Sequence, residues 1–164
     1  MSDPSAPAPV PGPAPGERPI LNHVAFSMDP ALLDDRGRAE ILDFYGDVFG
    51  WTESDNSGES GNPLILYTGA YAQFVYLLPG EPFLTSPRLD HFGVLVPTVE
   101  ELQATVDRAK ARQARDPRVS IIDVKSRVTQ SPTHDFTLTS AYIGFVLPLM
   151  VELQHLVRHE RAAT

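Results

Sequence analysis

Three residues whose side chains can do chemistry lie within apolar, strand-like stretches of the sequence. They are His23 in the stretch 20–28, His91 in the stretch 89–96 and Glu152 in the stretch 149–156. Because successive side chains of a strand point to opposite faces, each of the three lies opposite the more apolar face of its strand. A carboxylate in an apolar strand is costly to bury alone, so Glu152 requires a partner. Imidazole and carboxylate groups can hydrogen-bond one another or bind a divalent metal ion together, and the residues alone leave both alternatives open.

The secondary-structure elements around these residues occur twice in the same order. Each half has a strand that carries a histidine, then an amphipathic helix, then three further strand-like stretches. His23 and His91 lie 68 residues apart (91 − 23 = 68), and each is followed two residues later by a small residue, Ala25 or Gly93, on the same face. An internal repeat of this kind predicts two copies of one structural unit.

The predicted boundaries follow from periodicity, turn residues and caps. Helices are expected at 37–49 and at 98–114, where Thr98 and Glu101 have the form of a capping box. Strands are expected at 20–28, 64–68, 73–78, 89–96, 119–124, 136–146 and 149–156. A similarity between TGAYAQFV at 68–75 and TSAYIGFV at 139–146 supports the repeat, with an offset of 71 (139 − 68 = 71).

Length and composition indicate one acidic domain. The 164 residues suit a single domain. The net charge of −8 argues against nucleic-acid binding, which requires clustered Lys and Arg. The absence of cysteine excludes disulfides, thiolate metal sites and Cys nucleophiles. No apolar stretch approaches the roughly 20 residues of a membrane-spanning helix, so no membrane association is expected.

Both ends of the chain are expected to be tails. Residues 1–19 hold seven of the 16 prolines and lack the basic and apolar regions of a signal peptide. We therefore expect a disordered Pro-rich tail and a cytoplasmic protein. The charged segment 158–164 is expected to be a frayed C-terminal tail.

Four motifs together resemble one superfamily. They are LNHVAF at 21–26, FYGDVFGW at 44–51, LDHFGVLV at 89–96 and MVELQ at 150–154. In this order and spacing they resemble the vicinal oxygen chelate superfamily, which includes glyoxalase I, extradiol dioxygenases, methylmalonyl-CoA epimerase and the fosfomycin and bleomycin resistance proteins. The resemblance implies an α+β, glyoxalase-like domain over 20–157. In it, two βαβββ modules, 20–82 and 88–157, form an open, cup-shaped mixed sheet. It also implies a homodimer.

The resemblance further implies a divalent metal site. Carried over by position, His23, His91 and Glu152 are the metal ligands, and Glu152 is also the candidate catalytic base. Ions that suit this set are Fe(II), Zn, Mn, Ni and Co. The implied protein is a metal-dependent dioxygenase, lyase or isomerase/epimerase that chelates a small-molecule substrate through two oxygens. The alternative is a metal-free protein of the same fold that binds a small molecule or sequesters a drug.

The sequence departs from the superfamily pattern in two places. The apolar segment FVLPL at 145–149 replaces the DPDGN turn that many members carry before the last strand. Glyoxalase-type members also have a fourth ligand on the last strand of the first module, and the candidates for that position here are Gln73, Tyr76 and Glu81. A non-carboxylate residue there would favour the three-ligand activities over a glyoxalase activity.

Other polar residues carry weaker functional signals. Three could line the cup and contact a substrate: Gln73, Tyr76 and Tyr142. Three basic residues are best placed to meet an anionic substrate, although a solvated surface position is the default for each: Arg88, Lys125 and Arg127. Three histidines are expected to be structural or solvent-facing: His134, His155 and His159. Of these, His155 is predicted to lie on the strand face opposite Glu152.

Overall fold

The structure is a computed structural model that describes residue 18 and the segments 20–69, 72–130 and 134–160. Most of the predicted N-terminal tail, residues 1–17 and 19, lies outside the described residues. So do residues 161–164 of the predicted C-terminal tail.

The described segments contain strands and helices in the predicted order. The first module comprises β1 (His23–Met28), α1 (Asp35–Phe49), β2 (Thr52–Glu53), β3 (Leu64–Tyr67) and β4 (Phe74–Pro79), with a 3-10 turn at Pro30–Leu33. The second comprises β5 (His91–Leu95), α2 (Val99–Gln113), β6 (Ser120–Gln130), β7 (His134–Gly144) and β8 (Met150–Glu160). No described helix is both long and apolar enough to cross a membrane.

Each module forms its own four-stranded mixed sheet. The strand orders are β1-β4-β3-β2 and β5-β8-β7-β6. In both sheets the first and last strands of the module are parallel neighbours, and the remaining pairs are antiparallel. The predicted α+β fold with two βαβββ modules is confirmed.

Local hydrogen bonds set the beginnings of the helices. The carboxylate of Asp34 accepts the backbone N–H of Gly37 at 2.7 Å, so α1 begins two residues before the predicted position 37. The hydroxyl of Thr98 accepts the N–H of Glu101 at 3.1 Å, as the capping box predicts for α2.

Two strands of the second module are longer than predicted. β6 continues past position 124 to Gln130, and β8 continues to Glu160. Both strands pair with β7 over this extra length. Residues 158–160 are therefore part of a strand and not of a frayed tail.

The two modules are joined through their helices. Helix α1 contacts α2, and the buried Tyr45 hydroxyl donates to the backbone carbonyl of Phe145 at 2.9 Å. The Phe145 ring is buried and stacks on Phe44, with ring centroids 4.3 Å apart. This packing explains the apolar segment 145–149, because the segment that replaces the DPDGN turn fills the core between the modules.

The helices cover only one face of each sheet. In β1 the side chains of Phe26 and Met28 are buried, while His23 and Ala25 are exposed. We define the His23 face as the uncovered face of the first sheet, which carries His23, Ala25, Phe74 and Tyr76. We define the Glu152 face as the corresponding face of the second sheet, which carries His91, Gly93, Tyr142 and Glu152.

Candidate functional site

The predicted site residues His91 and Glu152 are close together on the Glu152 face. Nε2 of His91 lies 3.3 Å from Oε2 of Glu152. The parallel register between β5 and β8 produces this contact. It pairs Gly93 with Glu152, and His91 lies two residues before Gly93 on the same face of the sheet. Nδ1 of His91 donates to the backbone carbonyl of Leu89 at 2.7 Å. A carbonyl oxygen only accepts, so Nδ1 is protonated and Nε2 is directed at the carboxylate.

Glu152 is buried and receives several hydrogen bonds. The side-chain amide of Gln154 donates to Oε2 at 2.6 Å, and the hydroxyls of Tyr142 and Ser140 also donate to the carboxylate. Burial raises the pKa of Glu152. The hydrogen bonds and the nearby His91 lower it by a larger amount, so the pKa of Glu152 is below its ordinary value. The carboxylate is therefore ionised at neutral pH.

Tyr142, a predicted substrate-contacting residue, is part of this cluster. Its ring meets the His91 ring edge-on, with centroids 4.9 Å apart. The hydrogen bond to Glu152 raises the pKa of the Tyr142 hydroxyl, which keeps it protonated as a donor. Gln154 and Ser140 were not identified from the sequence. The two-residue spacing from Glu152 on one strand could have indicated Gln154, whereas Ser140 is recognisable only from the strand register.

His23 lies on the other module and does not join the pair within this chain. Its ring stacks on Phe74 at 4.7 Å, and its Nδ1 donates to the side-chain oxygen of Asn22 at 2.8 Å. His23 and Gln73 line a cavity of about 410 Å³ together with residues 92–95 of β5. Over the described part of the chain, no three His, Asp or Glu side chains are grouped so that they could hold a metal ion.

The strand register identifies the counterpart of Glu152 in the first module. Gly93 pairs with Glu152 in the second module, and Ala25, which matches Gly93 in the repeat, pairs with Tyr76. Tyr76 therefore occupies in the first module the position of Glu152, where the resemblance predicts a fourth ligand. Of the other candidates, Gln73 precedes β4 and Glu81 follows it.

The eight-residue similarity between 68–75 and 139–146 is not a structural equivalence. Tyr142 pairs with Glu152, and the residue that pairs correspondingly with Tyr76 is Ile65. Ile65 and Tyr142 are thus equivalent residues, and they are 77 positions apart (142 − 65 = 77) rather than 71. Counting back 71 positions from Glu152 therefore points wrongly to Glu81.

The remaining histidines lie away from the pair. His155 is on the face opposite Glu152, as predicted, and its Nδ1 lies 3.3 Å from the carbonyl oxygen of Val96. His159 is hydrogen-bonded to the hydroxyl of Thr137 at 2.8 Å. His134 is the first residue of β7, at the far end of the strand from Tyr142.

Comparisons with known proteins identify the family and the fold. A family model described as the Glyoxalase/Bleomycin resistance protein/Dioxygenase superfamily matches residues 20–143. No curated protein matches the chain. Among solved structures, a mutant of the fosfomycin resistance protein FosX from Listeria monocytogenes, in complex with Mn(II) and 1S,2S-dihydroxypropylphosphonic acid, is 17% identical with a TM-score of 0.53. The match covers 81% of this chain and 89% of that one.

Two further structures share the fold. Lactoylglutathione lyase from Agrobacterium tumefaciens is 20% identical, with a TM-score of 0.50 over 83% of this chain and 92% of the lyase. An integron cassette protein from the mobile metagenome of the Halifax Harbour sewage outfall is 14% identical, with a TM-score of 0.54 over 82% of this chain and 97% of that protein. At these identities, the likeness concerns the fold alone.

Proposed function

Because the chain belongs to the glyoxalase/bleomycin resistance protein/dioxygenase superfamily, we propose that it is a divalent-metal-dependent enzyme acting on a small substrate through two of the substrate's oxygens. The observation that carries this proposal is the contact between His91 and Glu152. Nε2 of His91 faces the ionised carboxylate of Glu152 at 3.3 Å, and the hydrogen bond from Nδ1 to the carbonyl of Leu89 fixes the ring in this orientation. An imidazole nitrogen and a carboxylate oxygen this close together are also two donor atoms that a single divalent ion can bind once the nitrogen is unprotonated.

The donor set of the pair fits a metal ion. Metal–nitrogen and metal–oxygen bonds are about 2.0–2.2 Å long, so two adjacent ligand atoms are separated by roughly 3 Å. The separation in this structure is 3.3 Å. The Nδ1 hydrogen bond to Leu89 orients the His91 ring, as a backbone carbonyl commonly does for a ligating histidine. Fe(II), Zn, Mn, Ni and Co all suit imidazole and carboxylate ligands.

We propose that His23 is the third ligand and that a second copy of the chain supplies it. The helices leave both the His23 face and the Glu152 face uncovered, and His23 is exposed. In a symmetric dimer, each copy would place its His23 face against the Glu152 face of the other, which yields two equivalent sites. The Nδ1 hydrogen bond of His23 to Asn22 leaves its Nε2 available as a ligand atom.

The surrounding side chains would position and protect the reacting groups. A bound metal would supply Lewis acidity to two neighbouring oxygens of the substrate. Glu152 would supply negative charge and is the candidate base, since its carboxylate is ionised. Gln154 holds Oε2 in place, and Tyr142 presents its ring to His91. The reaction classes compatible with this arrangement are oxygenation, elimination and isomerisation or epimerisation.

Metal content of the purified full-length protein tests the proposal. We expect wild type to bind a divalent ion stoichiometrically and His23→Ala, His91→Ala and Glu152→Ala each to lose it. His155→Ala is the matched control, since His155 lies on the opposite face and should leave the metal content unchanged. Wild-type protein that remains metal-free after incubation with each candidate ion would overturn the proposal.

The second candidate function is metal-free binding of a small molecule. The cavity of about 410 Å³ beside His23 and Phe92 favours it, because small-molecule sites are typically of roughly 300–1,000 Å³. In that case, a ligand should bind equally well before and after chelation and in the Glu152→Ala variant. Ligand binding that disappears on chelation would reject this candidate.

A further inference from the structure

A β-bulge in β6 determines which face its basic side chains occupy. Ile122 pairs with Tyr142, but Lys125 pairs with Ser140. Two residues of β6 therefore lie opposite a single residue of β7, and the alternation of side chains shifts by one position. Because of this shift, Lys125 and Arg127 lie on the Glu152 face.

Without the bulge, β6 would place apolar and small side chains on the Glu152 face instead of the two cations. In a regular strand, counting on from Ile122 in steps of two, the Glu152 face would carry Val124, Ser126 and Val128. Bulges of this kind are frequent beside functional sites, where they redirect a side chain. The charge on the Glu152 face therefore depends on a specific irregularity of the backbone.

Lys125 and Arg127 are exposed cations on the Glu152 face. Among the described residues, the ion pairs involve other basic side chains, and neither Lys125 nor Arg127 forms one. The whole chain carries a net charge of −8, so carboxylates are abundant elsewhere. Glu152 is on the same face, but it is buried and already bonded to Tyr142 and Gln154.

The two cations are connected to the candidate site. Lys125 pairs with Ser140, and the hydroxyl of Ser140 donates to the carboxylate of Glu152. The row of Arg127 also contains the paired residues Leu138 and Leu156, and Leu156 is 48% exposed. The row next to Glu152 contains Gln154, Ser140 and Lys125, so the carboxylate–imidazole pair and the two cations share one face with polar side chains between them.

We infer that Lys125 and Arg127 bind an anionic group, a carboxylate or a phosphate, on the ligand whose oxygens reach the His91–Glu152 pair. This inference rests on the proposed function for the role of that pair. Strand spacings place the backbones of Lys125 and Arg127 roughly 12 and 17 Å from that of Glu152, before their long side chains reach inward. The ligand is therefore an extended molecule that lies over Gln154 and Ser140, with Leu138 and Leu156 in the row of Arg127 at its anionic end.

Binding of three related probes tests the inference. Phenyl phosphate, benzoate and uncharged benzyl alcohol are titrated calorimetrically into full-length protein, as purified and after chelation. We expect the anions to bind more tightly than the alcohol, and the stronger of phenyl phosphate and benzoate identifies the anionic group. Lys125→Gln combined with Arg127→Gln should weaken anion binding roughly tenfold or more, because charge-assisted hydrogen bonds are lost.

Two matched variants make the result specific. Arg127→Val combined with Val128→Arg keeps the net charge but moves the cation to the opposite face, where Val128 is 65% exposed, and should weaken binding as Arg127→Gln alone does. Arg115→Gln removes another exposed cation, which forms no ion pair with a described residue, and should leave binding unchanged. Equal anion affinity in wild type and the double Gln variant, or no preference over benzyl alcohol, would overturn the inference.

Metal uptake measured on the same samples separates this inference from the proposed function. Anion binding that depends on Lys125 and Arg127 in a protein that takes up no metal would reject the enzyme proposal and retain the anion site. Normal metal uptake, together with anion binding that does not depend on Lys125 and Arg127, would reject the anion site and retain the enzyme proposal.

Discussion

Tyr76 occupies in the first module the position that Glu152 occupies in the second. Both residues pair with the small residue two positions after the histidine of their module, Ala25 or Gly93. The repeat therefore keeps a histidine in each module but a carboxylate in only one. This asymmetry leaves a single carboxylate at the candidate site and is the physical reason to expect three protein ligands and not four.

Restoring a carboxylate at this position should strengthen metal binding. In the proposed dimer, Tyr76→Glu adds a fourth, negatively charged donor, and we expect the affinity for Zn or Mn to increase by roughly tenfold or more, as measured by competition with a chelator. Tyr76→Phe should leave the affinity close to that of wild type. Gln73→Glu, which adds the same charge just before β4, is the control, and an equal increase in that variant would reject the assignment from the register.

Mixed dimers should reveal whether the two modules cooperate between copies. His23→Ala and Glu152→Ala homodimers are each expected to bind no metal. In a dimer with one chain of each kind, one of the two sites retains His23, His91 and Glu152, so roughly one ion should bind per mixed dimer. Co-expression with two affinity tags allows this species to be purified and analysed. Mixed dimers without metal, or a monomeric protein, would reject assembly between copies.

The pH dependence of stability should reflect the ionised state of Glu152. Its pKa in the folded chain is below the ordinary value of 4.5, because hydrogen bonds from Tyr142, Gln154 and Ser140 outweigh the effect of burial. The unfolded chain then binds the proton more readily, so the carboxylate stabilises the fold fully above about pH 4.5 and progressively less as the pH falls through the folded pKa.

Urea unfolding of metal-free protein between neutral and acidic pH tests this expectation. The difference in unfolding free energy between wild type and Glu152→Gln should decrease as the pH falls below about 4.5. Glu59→Gln changes an exposed glutamate far from the pair and should show no such trend. A difference between wild type and Glu152→Gln that stays constant over the whole pH range would contradict the assignment.

The connection between the modules should depend on one buried hydroxyl. Tyr45→Phe removes the donor to the carbonyl of Phe145 and leaves that buried acceptor unpaired, which should lower the free energy of unfolding by about 1–3 kcal/mol. Tyr67→Phe, at a partly exposed position, should cost less than about 0.5 kcal/mol. Equal stability of the two variants in thermal or urea unfolding would show that the Tyr45 bond does not hold the modules together.

Much of the fold was predictable from local patterns. The alternation around His23 and His91, the stripe of apolar residues in α1 and the capping box at Thr98 all involve residues within a few positions of one another. The repeat then indicated two modules, and the placement of Glu152 opposite the helix-covered face followed from the same alternation. These features depend on backbone geometry that neighbouring residues impose, so the order of residues alone contains them.

The tertiary structure decided the features that depend on how separate strands align. The pairing of Ala25 with Tyr76 identified the residue at the predicted fourth-ligand position. The sequence similarity between 68–75 and 139–146 did not identify it. The bulge after Ile122 turned Lys125 and Arg127 toward Glu152, although simple alternation from Ile122 would turn them away. Register and bulges are determined by packing between strands that are distant in the sequence, and a one-residue slip moves every side chain to the other face. For that reason the candidate residues could be named from the sequence, but their neighbours could not.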